Sequence, residues 1–114
     1  MVNTWDIYLY QLDPAEGSEQ KGLRPVLIIS NDAINHSLPI STVLPFSSVK
    51  TEDKIYPSEV LLPADCTGLS KNSVVMIHQI RTISHSRLVK KIGDLNNESF
   101  QNEIKQAIRD YFEL

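Results

Sequence analysis

The chain has 114 residues, 41% of them apolar and 22% charged, with a formal net charge of −3. That size suits one domain and can bury a core without staples, and the composition excludes a disordered tail or a disulfide scaffold. The net acidity argues against broad nonspecific binding to nucleic acid, which rests on Lys and Arg neutralising phosphates, but it leaves room for a local basic site.

No run is long enough to span a bilayer, and the first residues lack a basic then apolar leader, so the expectation is a soluble, cytoplasmic protein. The single cysteine, Cys66, cannot form an internal disulfide or a Cys-based zinc site.

Residues 5–12, rich in Trp, Ile, Tyr and Leu, read as a first strand that Asp13 and Pro14 stop. Residues 14–23 form a loop carrying Gly17, Glu19, Gln20, Lys21 and Gly22. The apolar run 25–30 fits a strand buried on both faces in the middle of the fold. Asn31 and Asp32 end it and suit a helix cap. Residues 41–46 read as a third strand, which Pro45 pushes toward an edge, a bulge or an early end. A polar loop follows over residues 47–57. Residues 58–62 read as a fourth strand closed by Pro63, and residues 73–79 as a fifth, extending toward Ile83. A turn at residues 84–87 and a last short strand at 88–95 complete the pattern. The period then changes. Phe100, Ile104, Ala107, Ile108, Tyr111 and Phe112 fall at helical spacing, with Asn96 or Asn97 available as the cap. Many short strands and one terminal helix imply a small, strongly bent antiparallel sheet or partly open barrel.

His36, His78 and His85 are too scattered for a metal site, and no nucleophile elbow, phosphate loop or dinucleotide fingerprint occurs. What remains is a set of Arg, Glu, His and hydroxyl groups at strand ends. Arg24 stands directly before Pro25, which restricts its backbone to extended conformations and fixes where its guanidinium points. A positioned guanidinium suits phosphate recognition and the extra charge of a phosphoryl transition state; the alternative is a simple pair with an acid such as Glu19. Ser47 and Ser48 follow the third strand, as phosphate ligands or as turn formers. His78 and Gln79 close the fifth strand, where His78 is either a proton carrier or a structural residue. Arg81, Arg87, Lys90 and Lys91 are the densest basic group. They suit either an RNA backbone or a charged sheet edge that resists aggregation.

Taken together and in order, these pieces resemble the MazF/PemK family of toxin endoribonucleases. The resemblance rests on Asp6 to Tyr8 with Leu12 to Pro14, on Gly17 to Gln20 and Arg24 to Asp32, and on Asn35. It continues through Thr42 to Ser48, Tyr56 with Pro57, Glu59 with Val60, Ser73 to Val75, Gln79 to Ile83 and Ser86 to Leu88. It covers nearly the whole chain as a single toxin domain, residues 1–114.

The resemblance implies a small SH3-like barrel of short, mostly antiparallel strands with a C-terminal helix, usually a homodimer. It implies metal-independent, cofactor-free, sequence-selective cleavage of single-stranded RNA, leaving 2′,3′-cyclic phosphate and 5′-OH ends. It also implies a MazE-like antitoxin as partner. By position, Arg24 matches the family's catalytic arginine, Ser47 its catalytic threonine and Glu19 an acidic loop residue tied to activity. His78 stands where relatives carry Asp or Glu, and Met76 where some carry Arg. RNA contacts are implied at Ser18, Gln20, Lys21, Ser48, Gln79, Arg81 and Arg87. Trp5 replaces a usual Gly, a change at the barrel end rather than at the chemistry. Two other readings keep the same scaffold: a non-catalytic toxin that binds a protein such as DNA gyrase, and a catalytically dead relative that only binds antitoxin.

Overall fold

The computed structural model describes residues 1–11, 22–50 and 52–114. The expectations placed on Ser18, Glu19, Gln20 and Lys21 therefore lie outside the described residues. The order of elements is β1 (Asp6–Gln11), β2 (Leu23–Ile28), α1 (Asp32–Ser37), β3 (Ile40–Ser48), β4 (Glu59–Leu62), α2 (Ala64–Thr67), β5 (Ser73–Met76), β6 (Arg81–Ser84), β7 (Leu88–Asp94) and α3 (Glu98–Phe112).

The strands form one antiparallel sheet in the order β4-β5-β3-β2-β1-β7, with β6 pairing β3 beside that path. The sheet stays open, so the architecture is the bent sheet with a terminal helix rather than a closed barrel. β2 lies in the middle, as its unbroken apolar run requires: Val26, Leu27 and Ile28 are all buried, and alternate residues serve opposite faces. Leu27 joins Ile7, Leu44, Phe46, Leu62, Val75 and Ile77 in the main core, onto which α3 packs Ile104, Phe100, Ala107 and Ile108. Val26 and Ile28 face a smaller cluster with Tyr10, Val43 and Ile83. Each fully buried aliphatic side chain of this kind contributes roughly 1.5–3 kcal/mol.

Three sequence expectations are corrected. First, Pro45 neither ends β3 nor sits at an edge; the strand runs nine residues through it. The reason is local. Ile29 N–H donates to the Thr42 carbonyl at 2.9 Å, so Ile28/Val43, and two residues along Val26/Pro45, are pairs that exchange no ladder bonds. The Pro45 nitrogen thus faces away from β2. On that side β3 pairs β6 only over Ile40–Val43 and β5 only over Phe46–Ser48. The missing donor falls in the gap between the two partners.

Second, the fifth strand stops at Met76, and a 3₁₀ turn, Ile77–Gln79, separates it from β6. Third, Tyr111 and Phe112 do not share the core face of α3. They are about half exposed and stack edge to face on each other, centroids 5.0 Å apart. The helix is capped by Asn97, whose side chain accepts from Phe100 N–H at 3.0 Å.

Two backbone positions explain how the far ends of β1 and β7 close. Trp5 has φ 73, a conformation that costs a bulky residue strain. The surrounding bonds hold it there: its N–H donates to Ile28 at 2.7 Å and its carbonyl accepts from Leu95 at 2.8 Å. Gly93 lies against α2 so closely that a Cβ would overlap the Thr67 carbonyl oxygen.

Candidate active site on the ends of two central strands

β2 places Arg24 and β3 places Ser47. The β2–β3 ladder ends at the pair Val26/Pro45; Arg24 and Ser47 lie two residues beyond it, one on each strand, and both line the depressions found there. On its other side Arg24 pairs with Tyr10 of β1. Arg24 is exposed and Ser47 half-buried. Pro25 sits within β2, so Arg24 is held extended both by the proline and by the sheet.

Two depressions meet at this pair. The first, about 380 Å³, is lined by Tyr10, Arg24, Val26, Pro45, Ser47, Met76, Gln79 and Arg81. The second, about 440 Å³, is lined by Arg24, Ser47, Ser48, Ser70, Lys71 and Ser73 among others. Among the described residues no carboxylate lines either one. A chain of net charge −3 thus gathers Arg24, Arg81 and Lys71 along two adjoining depressions with no countercharge among the described lining residues. No described carboxylate forms an ion pair with Arg24. Such an arrangement binds an anion, and a guanidinium beside a hydroxyl suits the equatorial oxygens of a phosphoryl group.

Tyr10 organises the cations of the first depression. Its ring is 3% exposed, and the guanidinium carbons of Arg81 and Arg87 lie 5.6 and 6.0 Å from its centroid. Arg87 also donates to the Gln11 carbonyl at 3.1 Å. These positions are worth roughly 0.5–1 kcal/mol each at exposed sites and, more to the point, orient the side chains.

The structure thus brings Arg24, Ser47, Ser48, Gln79 and Arg81 to the two depressions, whereas Arg87 lines neither and lies against the Tyr10 ring. It does not bring His78 to them. His78 lies exposed in the 3₁₀ turn, its Nδ1 2.9 Å from the Ser58 hydroxyl, and it lines neither depression. The break after Met76 turns the chain there, which strand periodicity could not reveal. The basic group of the sequence also divides. Lys91 sits on the edge strand β7 and pairs with the buried Asp6 at 3.1 Å, which holds the Lys91 ammonium above its ordinary range.

Sequence reasoning missed Tyr10 and Ser73; Ser70 and Lys71 fall within residues 63–72, which with residues 47–57 are the loops where base readout is expected, but neither is singled out there. Tyr10 and Ser73 read as ordinary strand residues, and Ser70 and Lys71 as turn residues. Only the depressions single them out. Cys66 stays an unremarkable thiol: burial pushes its pKa up, and the hydrogen bond and charge of Asp65 add to the shift. Among the described residues no three His, Cys, Asp or Glu side chains converge as metal ligands.

The model of a family described as PemK-like, MazF-like toxin of type II toxin–antitoxin system matches residues 3–112. The endoribonuclease EndoA of Bacillus subtilis (strain 168) is 36% identical over 109 residues, spanning 96% of this chain and 92% of that protein. The endoribonuclease MazF of Staphylococcus saprophyticus is 37% identical over 108 residues, spanning 95% and 88%. Among solved structures, the Mycobacterium tuberculosis toxin MazF-mt6 superposes with a TM-score of 0.76 at 30% identity, covering 96% and 97% of the two chains. A MazE-MazF crystal structure from Deinococcus radiodurans gives a TM-score of 0.81 at 24% identity, covering 99% and 96%, a likeness of fold.

Proposed function

The chain belongs to the PemK-like, MazF-like toxins of type II toxin–antitoxin systems, and we propose that it is an endoribonuclease with Arg24 and Ser47 at the scissile phosphate. The observation that supports this reading of the site is that Arg24 and Ser47 line both of two adjoining depressions without described carboxylates.

In this reading the substrate supplies its own nucleophile. The ribose 2′-oxygen forms a bond to the adjacent phosphorus, the bond to the 5′-oxygen breaks, and the products carry a 2′,3′-cyclic phosphate and a 5′-OH. The proton lost from the 2′-OH goes to a base, and the departing 5′-oxygen takes one up. The intermediate phosphorane carries extra negative charge on its equatorial oxygens. The Arg24 guanidinium donates to those oxygens in a fork, and the Ser47 hydroxyl donates to one of them or to the attacking group. Glu19 is the acid nearest in sequence to take the 2′-OH proton or orient Arg24. His78, held by Ser58, has no part in the scheme. Gln79, Arg81 and Ser48 hold the flanking RNA, and the scheme uses no metal.

The enzyme works as a homodimer in the cytoplasm, cleaving mRNA at selected sequences and so arresting growth. Among the described residues no helix is long and apolar enough to cross a membrane. Solved relatives include a MazE-MazF complex and an endoribonuclease in complex with its cognate antitoxin; in this reading a MazE-like antitoxin binds this chain and covers its RNA site. A toxin that only binds a protein target is not favoured, because the relatives at 36 and 37% identity are named endoribonucleases.

The test is incubation with a mixed RNA pool in EDTA and mapping of the ends. Cyclic-phosphate ends from the parent protein, lost in a folded Arg24→Ala protein, are expected. Full cleavage by Arg24→Ala would overturn the site, and no cleavage by the parent protein would overturn the activity.

A further inference from the structure

A third depression, about 640 Å³, continues from the second. The first and second share Arg24 and Ser47; the second and third share Ser70 and Lys71. Lys71 is thus a joint of the same kind as Arg24, one depression further along. Its ammonium is exposed and pairs with no described carboxylate. Its backbone is pinned. The Ser73 hydroxyl donates to the Lys71 carbonyl at 3.2 Å. Next door, the Asn72 side chain accepts from Ala64 N–H at 2.9 Å and its carbonyl accepts from Val49 N–H at 3.1 Å.

The third depression differs in kind from the other two. Its apolar lining includes Val49, Ile55 and Leu61, the last two 37% and 40% exposed. It also holds the carboxylates of Glu52 and Asp53 beside Lys50, with one Asp53 oxygen already accepting from Lys50 N–H at 2.8 Å. Carboxylates repel a phosphate but accept hydrogen bonds from the ring and amino N–H groups of a base, and apolar side chains accept its face. The chemistry sorts the two halves of a nucleotide: phosphate at the Lys71 joint, base beyond it.

Building on the endoribonuclease reading, we propose that Lys71 binds a phosphate next to the scissile one and that the third depression takes the base of that nucleotide. Lys71 is then a binding residue that sets how the strand lies across Arg24, not a catalytic one.

The experiment uses RNA spanning a mapped cleavage position, in versions where each flanking phosphate in turn is replaced by a neutral methylphosphonate. Cleavage is measured on these, and binding on a non-cleavable version carrying a 2′-O-methyl group at the cut. The parent protein should lose roughly tenfold in kcat/KM at one flanking linkage, the scale of one charge-assisted contact. Lys71→Ala should show that loss on unmodified RNA, through KM with kcat kept, and no further loss on the neutral linkage. Its log affinity should fall less steeply with log salt, by about 0.7 for one single-strand phosphate, and Lys71→Arg should restore both. The inference is overturned if Lys71→Ala stays as sensitive as the parent protein to every neutral linkage, or keeps the parent's salt slope. RNA bound but uncut would sink the nuclease reading alone, leaving Lys71 to be judged by its salt slope. RNA neither bound nor cut would overturn both.

Discussion

β2 and β3 each carry polar groups at both ends, and the two ends behave in opposite ways. Past the end of β2 and near the start of β3 stand Ser30 and Ser41. The Ser30 and Ser41 hydroxyls both donate to the Oδ1 of Asn35, and Asn35 Nδ2 donates to the Ser30 carbonyl at 2.8 Å. Because Ser41 spends its one proton on Asn35, the His85 Nε2 at 2.7 Å must be the donor to Ser41. Asn35 and Ser41 are 3% and 0% exposed, and no described buried side-chain polar atom lacks a partner. At the other end Arg24 is exposed, unpaired with any described carboxylate, and lines the same two depressions as Ser47. A Ser beside a His thus marks a structural lock at one end, whereas an Arg beside a Ser marks the candidate site at the other. Availability of the polar group, more than its type, separates the two.

Substitutions can break that contrast. The largest effect is expected at Arg24. Arg24→Ala should lower kcat by roughly 10²–10³-fold, the scale of removing one transition-state donor. Its thermal unfolding should stay within about 0.5 kcal/mol of the parent, as for an exposed side chain with no bond to a described side chain to lose. A large stability loss there would erase the contrast. Ser41→Ala should do the reverse: it deprives His85 of an acceptor and should cost about 1–3 kcal/mol in denaturant unfolding. Activity per folded molecule should be kept.

Smaller effects sharpen the boundary. Ser47→Thr should keep cleavage, since the hydroxyl remains, while Ser47→Ala should lose roughly tenfold or more in kcat, a donated hydrogen bond to a charged oxygen. His78→Ala should leave kcat unchanged in a cleavage assay, because His78 lines neither depression; a loss of kcat in a folded protein would return it to the site.

The smallest effect concerns acid stability at the locked end. The Thr4 N–H, at 2.8 Å, is the main cause that holds the Asp32 carboxyl below its usual range, helped by side-chain bonds from Asn35 and Thr4 and by His36. A carboxyl with a folded pKa below its unfolded one stabilises the protein at higher pH. Its contribution is lost as pH falls below about 4 and through the folded value. Asp32→Asn should therefore flatten this limb of a stability-versus-pH titration without moving the neutral pH profile of cleavage.

Much of this was legible in the residues. The strand runs, a cap at Asn96 or Asn97 (the structure selects Asn97), the short helix after Asn31 and the burial of Val26 to Ile28 follow from patterns a few residues long. Arg24 stood out because Pro25 fixes its backbone. Trp5 stood out as a departure from glycine, and its φ of 73 shows why glycine suits the position. Lys71 did not stand out, because one lysine in a polar turn carries no local signal. Pro45 misled, because a proline's effect on a strand depends on which neighbour faces its missing N–H.

By itself, then, the sequence determined the kinds of element and their order, and the family they spell, because hydrophobic period, turn chemistry and caps act over a few residues. The tertiary structure alone decided three matters. It set Arg24 and Ser47 on the same two depressions, placed His78 in the 3₁₀ turn after β5 within bonding distance of Ser58, and chose which polar groups to bury in bonds and which to leave facing open depressions. Those depend on register and on which strand neighbours which, contacts between residues far apart in the chain that no local pattern encodes.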